Sequence, residues 1–237
     1  MSEETLTEES KFQFACHKGL SCYTQCCHEV NIWLLPYDVL RMKNALGISS
    51  EEFLIKYTLP RKGQKGLPVV LLKMQDDEKK SCPFVTAEGC TIYADRPWPC
   101  RAYPVEQTEE DGKYRLIKFP FCQGFEEKRE WTVSEWKKDQ GLNPYLEMEK
   151  AYREVTNSKG WERITLLKGE PWQMFYMACY NIDRFKMFVK ESPFLKRLKI
   201  PQERWQRIKE NETELLKFAF DWVRFAILGE PIFEIQK

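Results

Sequence analysis

The sequence predicts an α+β fold in which an irregular, cysteine-rich core with short strands precedes a mostly α-helical C-terminal part. Cysteines and histidines crowd into residues 16–28, which is typical of a loop built around side-chain chemistry rather than packing. Short β-favouring runs broken by prolines follow, and from about residue 132 apolar residues recur at helical spacing. We therefore divide the chain into an acidic tail at 1–11, a cysteine-rich domain for metal or iron-sulfur binding at 12–130, and a helical region at 131–237 that packs on it.

Composition argues against several classes of function. The 237 residues carry 37 basic and 36 acidic side chains, so net charge gives no strong nucleic-acid signal and no attraction to anionic membranes. The N-terminus is acidic and polar where a secretory signal is basic and then apolar. No apolar run reaches spanning length, so we expect no membrane partner and a cytoplasmic location. Thiols stay reduced there, and nine cysteines do not pair evenly.

The N-terminal elements follow from local signals. An alternating run leads into the cysteine loop, and Pro36 suits the first turn of a helix that Gly47 ends. Ser49 or Ser50 can cap the next helix. In order, the sequence predicts extended segments at 12–15 and 30–35, helices at 36–46 and 51–59, an exposed loop at 60–66 and a strand at 67–74.

The later elements are predicted in the same way. Prolines at 83, 97, 99 and 104 argue against regular structure around the second group of cysteines. Asp111-Gly112 lies between β-favouring runs and predicts a hairpin. Thr132 and Glu135 have the spacing of a capping box, and an apolar helix that Gly229 and Pro231 stop follows near the end of the chain.

The cysteines predict a metal centre. Four of the nine cysteines and both histidines lie within residues 16–28, and disulfide bonding would not recruit histidines. Cys179 lies apart among apolar residues, so we predict core packing for it. Eight cysteines remain in two sequence groups: Cys16, Cys22, Cys26 and Cys27, then Cys82, Cys90, Cys100 and Cys122. Eight thiols are enough for two four-thiolate centres, and the alternative is one cluster with spare thiols or histidines for a second metal.

The spacing favours iron-sulfur over zinc. Zinc ribbons generally use two compact knuckles, and only the step from Cys22 to Cys26 approaches one. We therefore favour a four-iron, four-sulfur cluster, with zinc as the alternative. Neighbouring side chains point in different directions, so we expect Cys26 and Cys27 to serve different centres, or one centre and a hydrogen-bonding role.

Four further residues are expected around the metal without ligating it. An anionic thiolate centre needs nearby cations or hydrogen-bond donors, and Arg96 and Arg101 flank Cys100. Surface salt bridges beside a proline turn are the alternative for both arginines. His17 and His28 could ligate the metal, donate hydrogen bonds to sulfur or move protons, and we favour the last two roles because the cysteines already suffice as ligands.

These residues resemble the cysteine-cluster family of the YkgJ type, whose domain is described as zinc- or iron-chelating. The resemblance covers about residues 12–124 and rests on several short motifs. The leading cysteine block in that family is commonly C-x2-C-x2-C-C, whereas the intervals here are five and three. The motifs are Phe14-x-Cys16, the block 22–27, Cys82-Pro-Phe, Gly89-Cys90-x-Ile-Tyr93, Arg96-Pro97 and Cys100-Arg101-x-Tyr-Pro104.

Three functions remain open from the sequence. The resemblance implies metal or iron-sulfur binding and an oxidoreductase role, so we predict electron transfer or redox chemistry with a redox or protein partner. A zinc-stabilised structural module for protein interaction is the alternative. A cluster-dependent protein methyltransferase is a third reading, by analogy with a lysine methylase that carries a similar cysteine domain. No catalytic residue is identified.

Overall fold

The computed structural model describes residues 5–108 and 110–236. Its strands are short and form small sheets, and its helices concentrate in the C-terminal part, so the predicted α+β class is confirmed. The helices are α1 Pro36–Leu46, α2 Ser50–Tyr57, α3 Trp98–Ala102, α4 Val133–Asp139, α5 Asn143–Thr156, α6 Gly169–Cys179, α7 Ile182–Glu191, α8 Gln202–Glu210 and α9 Glu212–Ala226. The strands are β1 Lys11–Gln13, β2 Trp33–Leu34, β3 Thr58–Lys62, β4 Pro68–Leu72, β5 Val85–Thr86, β6 Gly89–Cys90, β7 Val105–Gln107, β8 Tyr114–Leu116 and β9 Glu130–Thr132.

The chain forms two compact units, and both are discontinuous in sequence. The first consists of Met1–Ile32 and Lys73–Tyr145, and the second of Trp33–Leu72 and Leu146–Lys237. Residues 33–72, which the sequence analysis placed in the cysteine-rich domain, thus belong to the same unit as the C-terminal helices.

The first unit is built from antiparallel strand pairs around an aromatic core. β1 pairs with β9, β5 with β6, and β7 with β8. The pairing of Phe12 with Trp131 brings the two ends of the unit's sequence together. Phe14 is buried and meets Tyr103, Phe125 and Trp136 edge to face, a favoured arrangement for aromatic rings.

The second unit combines one small sheet with most of the helices. β4 lies between β2 and β3, and both pairings are antiparallel. α6 packs against α7 and α9, and α1 against α2 and α9. Their facing sides are fully buried at Phe53, Phe175, Phe185 and Phe218, which form much of the core.

Several local predictions are confirmed. α1 begins at Pro36 and ends at Gly47, whose φ of 65° closes the helix in the left-handed region that glycine tolerates best. The Thr132–Glu135 capping box forms at α4, with both reciprocal hydrogen bonds present. β7 and β8 form the hairpin predicted around Asp111-Gly112. Cys179 lies in the core, 1% exposed.

Two local predictions are wrong. The proline-rich stretch contains helix α3, because Pro97 precedes the helix and Pro99 lies in its first turn, where no backbone N–H is needed. The loop predicted at 60–66 begins as strand β3, in which Pro60 pairs with Val70 on β4. Pro60 is tolerated because β3 is an edge strand of the sheet.

No helix of the described residues, 5–108 and 110–236, is long and apolar enough to cross a membrane.

Two helix starts in the second unit cap each other. The Ser50 N–H at the start of α2 donates to Asp183 Oδ2 at 2.6 Å, and the Asp183 N–H in α7 donates to Ser50 Oγ at 3.1 Å. Ser50 Oγ in turn donates to Asn181 Oδ1 at 2.8 Å. The 5%-exposed Lys43 lies 2.8 Å from Glu212 and 3.4 Å from Asp183. Burial alone would raise the pKa of Asp183, but the Ser50 N–H and Lys43 outweigh it and lower that pKa.

We predict that Asp183→Asn destabilises the protein by about 1–3 kcal/mol at neutral pH, because a buried ammonium loses a charged partner and the Ser50 N–H keeps a weaker acceptor. A carboxylate with a lowered folded-state pKa stabilises above its unfolded pKa, near 3.8, and this contribution is lost as the pH falls through the folded pKa. Urea unfolding at pH 7 should therefore separate variant from wild type, and the gap should shrink below about pH 4.

Glu234→Gln is the matched control. It removes the carboxylate that pairs with Lys199 at 2.8 Å, in the same unit but with both side chains exposed. Exposed pairs contribute little, so we expect no measurable change. Equal unfolding midpoints for the two variants would show that the caps at Ser50 and Asp183 do not stabilise the unit.

Candidate metal centre

The eight cysteines predicted as ligands all lie in the first unit. Cys179 belongs to the second unit, in α6. None of the nine is in a disulfide. Cys22 is the most buried of the eight at 8% exposed, whereas Cys16, Cys26 and Cys100 are exposed.

The leading cysteine loop is a series of tight turns. The amides of Leu20 and Tyr23 donate to the carbonyls three residues earlier, and Cys27 N donates to Thr24 O at 2.8 Å. Thr24 has a φ of 66°, in the left-handed region, and opens the single 3-10 turn Gln25–Cys27. The loop therefore doubles back several times, which brings its cysteines close together without a helix or a strand.

The loop contacts the segment around Cys122. Gln123 N donates to Cys22 Sγ at 3.3 Å, and Ser21 Oγ donates to the Gln123 side chain at 2.9 Å. Ala15 N donates to Gly124 O at 3.0 Å, and the Cys122 side chain packs against the aromatic core. These contacts bring the last cysteine of the group beside the first block, although about 100 residues separate them in sequence.

The loop also contacts the segment around Cys82. Cys82 N donates to Cys27 O at 2.8 Å, and Glu29 N donates to Lys80 O at 3.0 Å. Cys82 opens a turn whose Val85 amide donates back to its carbonyl, and Val85 pairs with Cys90 across β5 and β6. The second block thus reaches the leading loop at Cys27.

The thiols are close enough to change one another's pKa. Loss of water around the sulfur raises the pKa of Cys16 to about 11, and Cys26, Cys122 and Cys22 add to this effect while Arg96 opposes it. For Cys27, hydrogen bonding to Cys26 and burial raise the pKa, with further contributions from Cys100 and Cys82. The same hydrogen bond between Cys26 and Cys27 lowers the pKa of Cys26. Eight thiolates here would repel one another strongly unless cations or metal ions offset their charge.

Arg96 and Arg101 are buried, each 7% exposed, so the alternative of surface salt bridges is wrong. Arg96 Nη1 donates to Tyr93 O at 2.6 Å, and its guanidinium lies 3.8 Å from the centre of the Tyr93 ring. Both arginines also bind Gln140, at the end of α4: Arg96 donates to its side chain, and Arg101 Nη1 donates to its carbonyl at 2.5 Å. A cation at a helix C-terminus is favourable. Arg96 further interacts with Cys16, Cys90 and Cys100, and burial lowers its pKa.

The two histidines bind groups other than the thiols. His17 Nδ1 accepts from Gly19 N at 3.1 Å, and its Nε2 lies 3.6 Å from a Glu127 oxygen. His28 Nδ1 and Ser81 Oγ form a hydrogen bond of 3.0 Å. His28 therefore helps to join the leading loop to the segment that carries Cys82, whereas His17 lies at the exposed side of the loop.

Two residues near the thiols were not predicted. Gln123 supplies the backbone N–H to Cys22, and Gln140 binds both buried arginines. The only available signal for Gln123 was its position between Cys122 and a glycine. Gly124 is needed because a Cβ there would come within 2.6 Å of Phe14 and 2.8 Å of Ala15 O.

Cysteine thiols are suitable donors for a thiolate-bound metal, but in the described chain these thiols are not gathered around a common point. Among residues 5–108 and 110–236, no three Cys, His, Asp or Glu side chains lie together in a group that could hold a metal ion. Near the thiols, the buried Arg101 Nε and Tyr103 hydroxyl have no hydrogen-bond partner in the described chain. The Tyr103 hydroxyl lies against the Cys122 thiol, and burial raises the pKa of this tyrosine.

The cysteine-bearing part of the chain matches a known protein family. Residues 15–132 match the family model CxxCxxCC, described as "Putative zinc- or iron-chelating domain". The chain belongs to this family. The CxxCxxCC match contains all eight cysteines of the first unit and ends at the last residue of β9. It supports binding of zinc or iron by the chain. No curated protein and no solved structure gives a match.

We predict that Gly124→Ala pushes the segment 122–126 away from Phe14 and Ala15, because the new methyl group has no room. Overpacking of this kind costs about 1–3 kcal/mol. The hydrogen bond from Gln123 N–H to Cys22 Sγ should break. Cys22 should then react faster with an alkylating reagent, because its sulfur is less protected. Mass spectrometry of the alkylated peptides measures this, with the buried Cys179 as internal reference.

Gly112→Ala serves as the control. Gly112 lies between β7 and β8 with φ of 73° and has no atoms near its would-be Cβ, so its replacement strains the turn locally. The reactivity of Cys22 should stay at the wild-type rate. If both variants expose Cys22 equally, the contact between Gly124 and Phe14 does not position the loop.

Proposed function

We propose that this chain binds an iron-sulfur centre, a four-iron, four-sulfur cluster in preference to zinc, and acts in electron transfer or redox chemistry in the cytoplasm. Its ligands come from the eight cysteines of the first unit, in one or two centres. The cluster, when bound, supplies one-electron transfer. The remaining residues hold the thiols, offset their charge and control access of water.

The observation that carries the proposal is the convergence of three cysteine segments that are distant in sequence. Hydrogen bonds join the leading loop to the segment of Cys82 on one side and to that of Cys122 on the other. Thiols brought together in this way, with no disulfide between them, are the arrangement that soft metal ions and clusters use. Ordinary core packing would not leave Cys16, Cys26 and Cys100 exposed.

The charge of such a centre has groups to offset it. A four-thiolate site is anionic, and N–H donors and cations close to sulfur stabilise it. Gln123 N–H already donates to Cys22 Sγ, and the buried guanidinium of Arg96 interacts with Cys16, Cys90 and Cys100. Because Arg96 is buried, its charge acts through protein rather than water and is screened less.

We propose that rotation of the cysteine side chains closes each centre around its metal. A cysteine Sγ occupies one of three staggered positions about χ1, and a change of rotamer moves it by a few ångströms. Metal binding then selects the rotamers in which the sulfurs surround one point, and the hydrogen bonds between the segments are kept. Metal binding also requires loss of the thiol protons, so the high pKa of Cys16 falls when a cation lies beside it.

Zinc gives the second candidate function. The family description names zinc as well as iron, and a zinc site with four protein ligands is structural. In that case the first unit is a metal-stabilised module for binding a protein partner. If the centre is instead iron-sulfur, a redox partner is required to deliver or accept the electron.

We predict that protein purified without oxygen shows broad visible absorption, which a reductant bleaches, together with bound iron and acid-labile sulfide. Cys22→Ala should lose most of this absorption, because it removes the most buried of the eight thiols and the acceptor of the Gln123 N–H. Cys179→Ala is the matched control in the other unit and should keep the wild-type spectrum.

A colourless protein with stoichiometric zinc under these conditions would reject iron-sulfur chemistry and support the structural module. A protein that binds neither metal, as purified or after reconstitution with iron and sulfide or with Zn²⁺, would reject both functions.

A further inference from the structure

We infer that the eight cysteines form two metal centres whose members cross the two sequence groups, and that Cys26 and Cys27 belong to different centres. This inference rests on the proposed metal binding and adds the partition of the ligands. Sequence order groups Cys122 with Cys82, and Cys27 with Cys26. In the partition that follows from the fold, Cys122 and Cys27 change places between the two sets. The first set is then Cys16, Cys22, Cys26 and Cys122, and the second is Cys27, Cys82, Cys90 and Cys100.

The first set is assembled at the Cys122 segment. Gln123 N donates to Cys22 Sγ at 3.3 Å, which places the residue next to Cys122 against a thiol of the leading loop. Ala15 N donates to Gly124 O at 3.0 Å, which holds the residue next to Cys16 against the same segment. These two hydrogen bonds bring Cys16 and Cys22 to the segment that carries Cys122. Tyr103 touches Cys122 and is influenced by Cys26 as well.

The second set is assembled at Cys27. Its carbonyl accepts a hydrogen bond of 2.8 Å from Cys82 N, so these two residues are neighbours through their backbones. The turn after Cys82 leads into the pairing of Val85 with Cys90. Cys27 interacts with Cys82 and Cys100, and Cys82 interacts with Cys90. Arg96, whose side chain interacts with Cys90 and Cys100, lies beside this set.

The two sets adjoin at the vicinal pair. Cys26 and Cys27 share the 3-10 turn Gln25–Cys27, and a hydrogen bond joins their thiols. The carbonyl of Cys27 holds this residue to Cys82, which leaves Cys26 to complete the four ligands of the first set. Arg96 interacts with Cys16 of one set as well as with the second set, so one cation serves both.

Four double alanine variants separate the two partitions, and each removes the same number of thiols. The fold-based sets predict that Cys26→Ala/Cys122→Ala and Cys27→Ala/Cys82→Ala each keep about half of the wild-type metal. They also predict that Cys26→Ala/Cys27→Ala and Cys82→Ala/Cys122→Ala lose almost all of it. Sequence-order sets predict the reverse for all four variants. Metal per chain is measured by elemental analysis of the full-length protein after anoxic purification, with Cys179→Ala as control.

A second measurement uses the wild-type chain and does not depend on the variants folding. The zinc-reconstituted protein is partly stripped with a chelator, and the released thiols are alkylated and located by mass spectrometry. Cys122 should be released together with Cys22, and Cys27 together with Cys82. Release of Cys122 with Cys82, or of all eight thiols in one step, would overturn the partition while leaving metal binding intact. A wild-type chain without metal would overturn the proposed function as well.

Discussion

The packing of Phe14 is the constraint on which the cysteine-bearing loops depend. Its ring is 2% exposed and lies among Tyr103, Phe125 and Trp136, and its carbonyl accepts a hydrogen bond of 2.8 Å from Trp131 Nε1. The cysteine loop starts two residues later, so its first cysteine leaves from a fixed point. The same ring excludes any side chain at position 124, which lets the segment after Cys122 approach. Aromatic packing therefore provides the rigid frame that irregular loops cannot build from their own backbone bonds.

The negative charge of clustered thiolates is the second constraint. Two buried arginines lie in the same unit. Each donates hydrogen bonds to backbone carbonyls or to Gln140, so each is fixed in place without a metal. Arg96 also interacts with thiols of both proposed sets. A buried cation costs free energy unless anions lie close to it, and thiolates bound to a metal supply that charge. Arg101 thus stabilises the end of α4 through the Gln140 carbonyl, and Arg96 favours a deprotonated Cys16.

The sequence predicted what depends on neighbours along the chain. The start of α1 at Pro36, its end at Gly47 and the Thr132 capping box are all decided within a few residues, and each is confirmed. Helix α3 was missed because the number of prolines argued against a helix, although a proline in the first turn is compatible with one. The assignment of residues 33–72 to the second unit, and the contact of Cys122 with the leading loop, depend on pairings between distant segments. The spacing of cysteines along the sequence does not predict such pairings.

Loop closure gives a reason for ligand sets that cross the sequence groups. A centre built only from the leading block would close a loop of about ten residues, which restricts the unfolded chain little. A centre that joins Cys26 to Cys122 closes a loop roughly nine times longer, which includes residues 33–72 of the second unit. Since each doubling of loop length adds about 0.6 kcal/mol to the closure entropy, the crossed set restricts the unfolded chain by about 2 kcal/mol more. Metal binding would then stabilise the discontinuous first unit as a whole, because its ligands come from both of the segments that form it.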